Sequence, residues 1–234
     1  MPFVQSNGIQ IYYETHGEGT PLLLIGGLSN DVTDYERMIP LLCAHRKLIL
    51  FDNRGAGRSD KPDIPYSIEI MADDTAGLLE ALGIAQTDVI GVSMGGRIAL
   101  DLALRYQRMV HKLVLVSTSA RVLPTPSRKR LDTLLRIPFA QKWMNALNRY
   151  PQPYYAFWRQ REASGGYDAT SRLDQIHSPT LILHGKKDSV APYALAQEMH
   201  EKIQGSQMVT FDGGHIFLFF HPKEFAQAVL DFLG

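Results

Sequence analysis

The chain has 234 residues, 45% of them hydrophobic and 21% charged, enough for one large α/β domain and too apolar for long disorder. Its 24 basic and 24 acidic residues cancel, so no global field draws it to nucleic acid or to a membrane surface. Cys43 is the only cysteine, which excludes an internal disulfide and points to a reducing compartment.

Met1-Pro2-Phe3-Val4-Gln5 has neither the basic nor the apolar region of a secretory signal, and no apolar run approaches the ~20 residues of a membrane span. A cytoplasmic protein with no membrane or nucleic-acid partner is expected. Val4, Ile9 and Ile11 alternate around Asn7-Gly8, which predicts an antiparallel ribbon. Pro21 to Ile25 is a continuous apolar strand that ends in Gly26-Gly27. A helix is expected over about 33–44, then the strand Lys47 to Phe51 and the glycine-rich loop Asp52 to Ser59. Helical spacing of Ile70, Met71, Leu78, Leu79 and Leu82 predicts a helix over 68–82, stopped at Gly83. A strand over 87–91, a helix to Tyr106 and the strand Lys112 to Val116 follow. The rhythm resumes with strand 180–184, helix 192–203, strand 207–211 and a last helix from Pro222 to Leu233. Such alternation predicts a mostly parallel central sheet with helices on both faces.

Residues 120–173 interrupt this pattern. They hold ten Lys/Arg against three Asp/Glu, a surplus of +7, which leaves −7 on the remainder. Trp143, Trp158, Tyr154 and five prolines also fall here. We therefore divide the chain into a core, 1–119 and 174–234, and a small helical lid inserted over 120–173.

Gly91-Val92-Ser93-Met94-Gly95 joins a predicted strand to a predicted helix. Glycine two places either side of a serine is what a sharp strand-to-helix elbow requires, because the flanking backbones come too close for side chains. Such a turn lifts the hydroxyl out of the sheet beside the unpaired N–H groups of a helix start. A serine hydroxyl needs a base, usually a histidine held by a carboxylate, and sites in parallel sheets collect at the C-terminal strand ends. After strand 180–184 stands Asp188, and after strand 207–211 stands His215. The order Ser93, Asp188, His215 is the one expected of this elbow architecture. His184 reads as a strand-end packing residue, and Asp212 lies too near His215 in sequence to orient it easily. Met94 N–H is one oxyanion donor, and Gly26-Gly27-Leu28 suits Leu28 N–H as the second. Each residue also has a structural reading: Asp188 as a local cap, His215 as a loop histidine, Gly26-Gly27 as a plain turn.

Taken together, Leu24–Leu28, Phe51–Ser59, Gly91–Gly96, His184–Asp188 and Gly213–His215 resemble the α/β-hydrolase superfamily, in its serine esterase and enol-lactone hydrolase-like branch. The resemblance spans nearly the whole chain. Gly26 stands where many members have histidine, and the 120–173 segment is shorter than many lids. The resemblance implies the α/β-hydrolase fold, Ser93, Asp188 and His215 as the catalytic triad, and Leu28 and Met94 as oxyanion donors. It assigns Asp52 and Arg54 to a structural loop. Ser93 excludes the relatives that use aspartate at the elbow.

The expected activity is cofactor-independent and metal-independent hydrolysis of a small carboxylic ester or lactone through an acyl-enzyme. Carbon–carbon bond hydrolysis, cofactor-free perhydrolysis and ligand sensing with little turnover remain open on the same fold. The basic, aromatic 120–173 segment suggests an apolar substrate body with a carboxylate paired by an arginine, and Trp143, Trp158 and Tyr154 as substrate contacts.

Overall fold

The computed structural model describes all residues except 1, 45, 125 and 138–148. Asn7 and Gly8 both adopt positive φ, 47° and 79°, as a tight two-residue hairpin demands. They join β1 (Phe3–Ser6) to β2 (Ile9–His16), with Ser6 opposite Ile9. The remaining strands are β3 (Thr20–Ile25), β4 (Arg46–Phe51), β5 (Thr87–Val92), β6 (Val110–Val116), β7 (Thr180–Gly185) and β8 (Gln207–Phe211). They form one sheet of order β1-β2-β4-β3-β5-β6-β7-β8, parallel from β4 through β8 and antiparallel at β1 and β2.

Alternate residues of the apolar strands face opposite layers. Leu23, Ile25, Ile49, Val89 and Leu115 pack with Met71 and Leu79 of α2 (Ile68–Ala81) and with Ile98 and Leu102 of α3 (Met94–Arg105). Leu22, Leu24, Leu50, Ile90 and Val114 face the other way. Their partners include Leu42 of α1 (Ile39–Leu42) and Phe225 and Val229 of the C-terminal helix Pro222–Leu233. This two-sided burial explains why the strands read as unbroken apolar runs. Ser67 caps α2, its side chain accepting from the Ile70 N–H.

The helix expected over 33–44 is broken. A 3-10 turn occupies Val32–Tyr35, and α1 starts again at Ile39 with Pro40 in its first turn. Proline has no N–H and its ring crowds the carbonyl four residues earlier, so one helix cannot run through position 40.

Between β6 and β7 the described residues form α4 (Pro126–Leu135) and α5 (Tyr154–Gly166). Arg121 bridges Asp168 in antiparallel fashion, and Ala169 N–H donates to Ala120 O, so the two ends of the segment are tied together. Its cations meet acids elsewhere in the chain: Arg121 with Glu198 (2.9 Å), Arg149 with Glu36 (3.0 Å), Arg159 with Asp63 (3.3 Å) and Arg172 with Asp101 (3.8 Å). The opposite charges of segment and remainder therefore meet as ion pairs.

Candidate active site

Parallel pairing lines up the strand ends. Ile25 pairs with Phe51 and with Gly91, Val92 with Val116, Val116 with Leu183, and Gly185 with Phe211. The loops after β3, β5, β7 and β8 therefore open on one edge, and Leu28, Ser93, Asp188 and His215 stand on them.

Ser93 has φ 54° and ψ −113°, a conformation that is costly for any residue with a Cβ. Its surroundings hold it there. Ser93 N–H donates to Val116 O (2.9 Å), while Thr118 Oγ1 (2.6 Å) and Gly96 N–H (3.1 Å) donate to Ser93 O. Ser93 Oγ lies 2.9 Å from His215 Nε2, and His215 Nδ1 lies 2.8 Å from Asp188 Oδ2. Asp188 Oδ1 accepts from Val190 N–H and Ala191 N–H, both at 2.8 Å. Burial alone would raise the Asp188 pKa. The hydrogen bond and charge of His215 and the two backbone N–H groups outweigh it, so the carboxyl sits below its ordinary range. With the carboxylate accepting, His215 carries its proton on Nδ1 and leaves Nε2 free to accept from Ser93.

His184 is fully buried behind this row, donating from Nε2 to Ala191 O (2.8 Å) with Asp188 Oδ2 at 3.3 Å. Burial holds its pKa below the ordinary value, so the ring is neutral. Asp212 pairs with Lys187 (2.7 Å) rather than with His215.

The backbone after β3 can be accounted for donor by donor. Gly27 N–H donates to Asn30 Oδ1 (3.1 Å) and Tyr35 Oη (3.2 Å), Ser29 N–H to Gln160 Oε1 (2.9 Å), Asn30 N–H to Gly27 O (3.2 Å) and Asp31 N–H to Asp34 Oδ2 (3.0 Å). Leu28 N–H alone in this run has no acceptor among the described residues. Met94 begins α3, where a helix leaves its first N–H groups unpaired. From behind, Asn53 Nδ2 donates to Gly26 O (3.0 Å), and Asp52 Oδ1 accepts from Val32 N–H (2.8 Å). Arg54 forks onto buried Asp74 at 2.7 and 2.6 Å, so the loop after β4 is a brace.

A cavity of about 280 Å³ opens over Ser93 and His215. Gly27, Leu28, Asn30 and Val92 line one side, and Val190, Ile216, Leu218 and Phe219 the other. Val190 is 60% exposed and Ile216 52%, so its rim is apolar. Of this lining, sequence reasoning passed over Asn30, Val190, Ile216, Leu218 and Phe219. The adjacency of Ile216 to His215 was a usable signal.

Neither Tyr154 nor Trp158 belongs to the described lining. Tyr154 donates to Leu135 O (2.9 Å), and its ring meets Trp158 edge-on, with the Arg136 guanidinium over the indole at 4.3 Å. Trp143 lies outside the described residues. Arg121, Arg149, Arg159 and Arg172 are spent on the ion pairs above, Arg161 pairs with Asp132, and none of the five lines the cavity. Among the described residues no cluster of three or more His, Cys, Asp or Glu could hold a metal ion, and no helix is long and apolar enough to cross a membrane.

The family profile described as alpha/beta hydrolase fold matches residues 20–152, and one described as TAP-like protein matches 155–233. The Azorhizobium caulinodans protein named "Putative carbamate hydrolase RutD" is 30% identical, over 100% of this chain and 98% of its own. The 2-hydroxymuconate semialdehyde hydrolase of a Pseudomonas species is also 30% identical, over 97% and 91%. Among solved structures, the enol-lactonase from Burkholderia xenovorans LB400 is similar with TM-score 0.84 at 25% identity, covering 99% of each chain.

Proposed function

The chain belongs to the alpha/beta-hydrolase family and is a hydrolytic enzyme, and on that premise we propose that it cleaves a small uncharged carboxylic ester or lactone by acyl transfer to Ser93. The observation that carries this reading is the unbroken row from Ser93 Oγ through His215 to Asp188, at 2.9 and 2.8 Å.

In the proposed cycle, Ser93 Oγ attacks the substrate carbonyl as its proton passes to His215 Nε2. Asp188 keeps the imidazole in the required tautomer and stabilises the imidazolium. The carbonyl oxygen becomes an anion between Leu28 N–H and Met94 N–H, each worth about 3–4 kcal/mol to the transition state. His215 then returns the proton to the departing alcohol oxygen, leaving the acyl group on Ser93. Water adds by the same route and releases the acid. A small acyl group suits the cavity, and its apolar rim suits an uncharged chain. Residues 120–173 serve as the lid over the core formed by 1–119 and 174–234.

The similarity to 2-hydroxymuconate semialdehyde hydrolase supports a second reading, carbon–carbon bond hydrolysis by the same row. Stopped-flow hydrolysis of a short-chain p-nitrophenyl ester tests the first. A p-nitrophenol burst in the wild type, absent in Ser93→Ala, is expected. A wild type silent on esters and lactones but active on 2-hydroxymuconate semialdehyde would establish the second reading instead. One silent on all three would point to a ligand sensor.

A further inference from the structure

We infer that Gln160, on α5, is a positioning residue that sets the orientation of the Leu28 N–H. The inference rests on the reading of Leu28 as an oxyanion donor. Glutamine is seldom fully buried, yet Gln160 has no exposed surface. Both ends of its amide are used: Oε1 accepts from Ser29 N–H (2.9 Å) and Nε2 donates to Arg54 O (2.7 Å). Arg54 is itself immobilised by its fork onto Asp74. The amide is thus a strut from a fixed backbone to the peptide that follows Leu28.

The strut bears on a strained residue. Ser29 has φ 63°, in the left-handed region that non-glycine residues rarely occupy, and needs outside contacts to remain there. A second buried glutamine, Gln152, supplies one of them, donating from Nε2 to Ser29 Oγ. On the other side of Leu28, Asn30 N–H holds Gly27 O while Asn30 Oδ1 and Tyr35 Oη hold Gly27 N–H. Fastened at both neighbours, the Leu28 N–H is directed without a protein acceptor of its own among the described residues. Without Gln160, Ser29 can relax out of its strained conformation, and the preceding Gly27–Leu28 peptide, which carries the free N–H, can turn away from Ser93 with it. Gln160 then acts on the transition state, where charge sits on the oxygen, and little on ground-state binding.

The test uses the full-length enzyme, a short-chain p-nitrophenyl ester and an aryl trifluoromethyl ketone, whose adduct with Ser93 carries the same oxyanion. Deleting an oxyanion donor costs about 10²–10³ in kcat. Displacing one through Gln160→Leu is expected to lower kcat about ten- to a hundred-fold with KM within about two-fold. Ketone affinity should fall by the same factor. In Gln160→Glu, the protonated acid can both accept from Ser29 N–H and donate to Arg54 O, and the carboxylate cannot donate. Its kcat, as a fraction of wild type at the same pH, should therefore fall as pH rises.

A kcat within about two-fold of wild type in both variants at every pH, or a loss confined to KM, overturns the inference. So does a loss that only follows the folded fraction seen by near-UV circular dichroism. If Gln160→Leu does not fold, the pH trend of Gln160→Glu decides alone. A wild type without Ser93-dependent hydrolysis removes the acyl-transfer reading and this inference with it. Hydrolysis that depends on Ser93 but is indifferent to Gln160 removes the inference only.

Discussion

A Cβ on Gly91 would stand 2.6 Å from the carbonyl oxygen of Gly95, closer than any real contact of that kind. One on Gly95 would meet Ile25 O at 2.2 Å and Gly26 O at 2.6 Å. The two glycines that flank Ser93 therefore let the elbow close on itself and let α3 begin against the end of β3. These obstacles are backbone atoms, which cannot step aside. Gly95→Ala is expected to cost about 3 kcal/mol, the upper range for overpacking, and to lower Tm by about 6–12 °C in a domain of this size. Scanning calorimetry measures it, and an unchanged Tm would refute the close-approach account.

Asp188 allows a sharper separation of geometry from chemistry. Its Oδ1 already accepts two backbone N–H groups, so Asp188→Asn must leave its oxygen there and turn its NH₂ toward His215 Nδ1. His215 would then carry its proton on Nε2 and could not accept one from Ser93. The expected result is a fall in kcat of roughly 10⁴ with the fold retained. Activity within about ten-fold of wild type would show that Asp188 does not set the tautomer.

Much of this arrangement was legible because glycine and chain order report on backbone geometry. Gly91 and Gly95 marked the elbow, and Asp188 and His215 were legible as residues following apolar strands. The structure brings all three polar side chains into one hydrogen-bonded row. The break of the 33–44 helix was legible in principle, since Pro40 forbids a continuous ladder. The cavity lining was harder. Val190 and Ile216 are apolar residues on loops, marked only by standing close in sequence to Asp188 and His215. Gln160 was beyond reach, because its partner Ser29 lies 131 residues away in sequence. The surplus charge of 120–173 was visible, but its partners were not: the acids that meet it come from loops and helices along the whole chain.

Those ion pairs bear on substrate charge. The described cavity offers Asn30, Ser93 and His215 as its polar side chains, and no described arginine or lysine. A carboxylate entering it would lose water without gaining a counter-charge, at a cost of several kcal/mol. Butyrate and hemisuccinate p-nitrophenyl esters have similar acyl lengths and differ in charge. The neutral ester is expected to be favoured in kcat/KM by about a hundred-fold or more. Equal rates, or a preference for the anion, would restore a cationic anchor to the site.

His184 makes a prediction about acid stability that is independent of substrate. Burial holds its folded-state pKa below the ordinary value, although its hydrogen bond to Ala191 O and the charge of Asp188 act the other way. In the unfolded chain the ring takes a proton near about pH 6.5, and in the folded protein only at lower pH. Between those points the unfolded state binds more protons, so this contribution to stability is complete above about pH 6.5 and shrinks on acidification. The slope approaches about 1.4 kcal/mol per pH unit at most. Asp188 adds nothing in that window: its depressed pKa yields stability that is lost only as pH falls below the ordinary carboxylate value of about 3.9. His184→Gln removes the titration. Its urea midpoint should lie below that of wild type near about pH 7.5 and converge on it toward about pH 5.5. Two curves that stay parallel across the range would mean that His184 takes up its proton equally in the folded and unfolded chain.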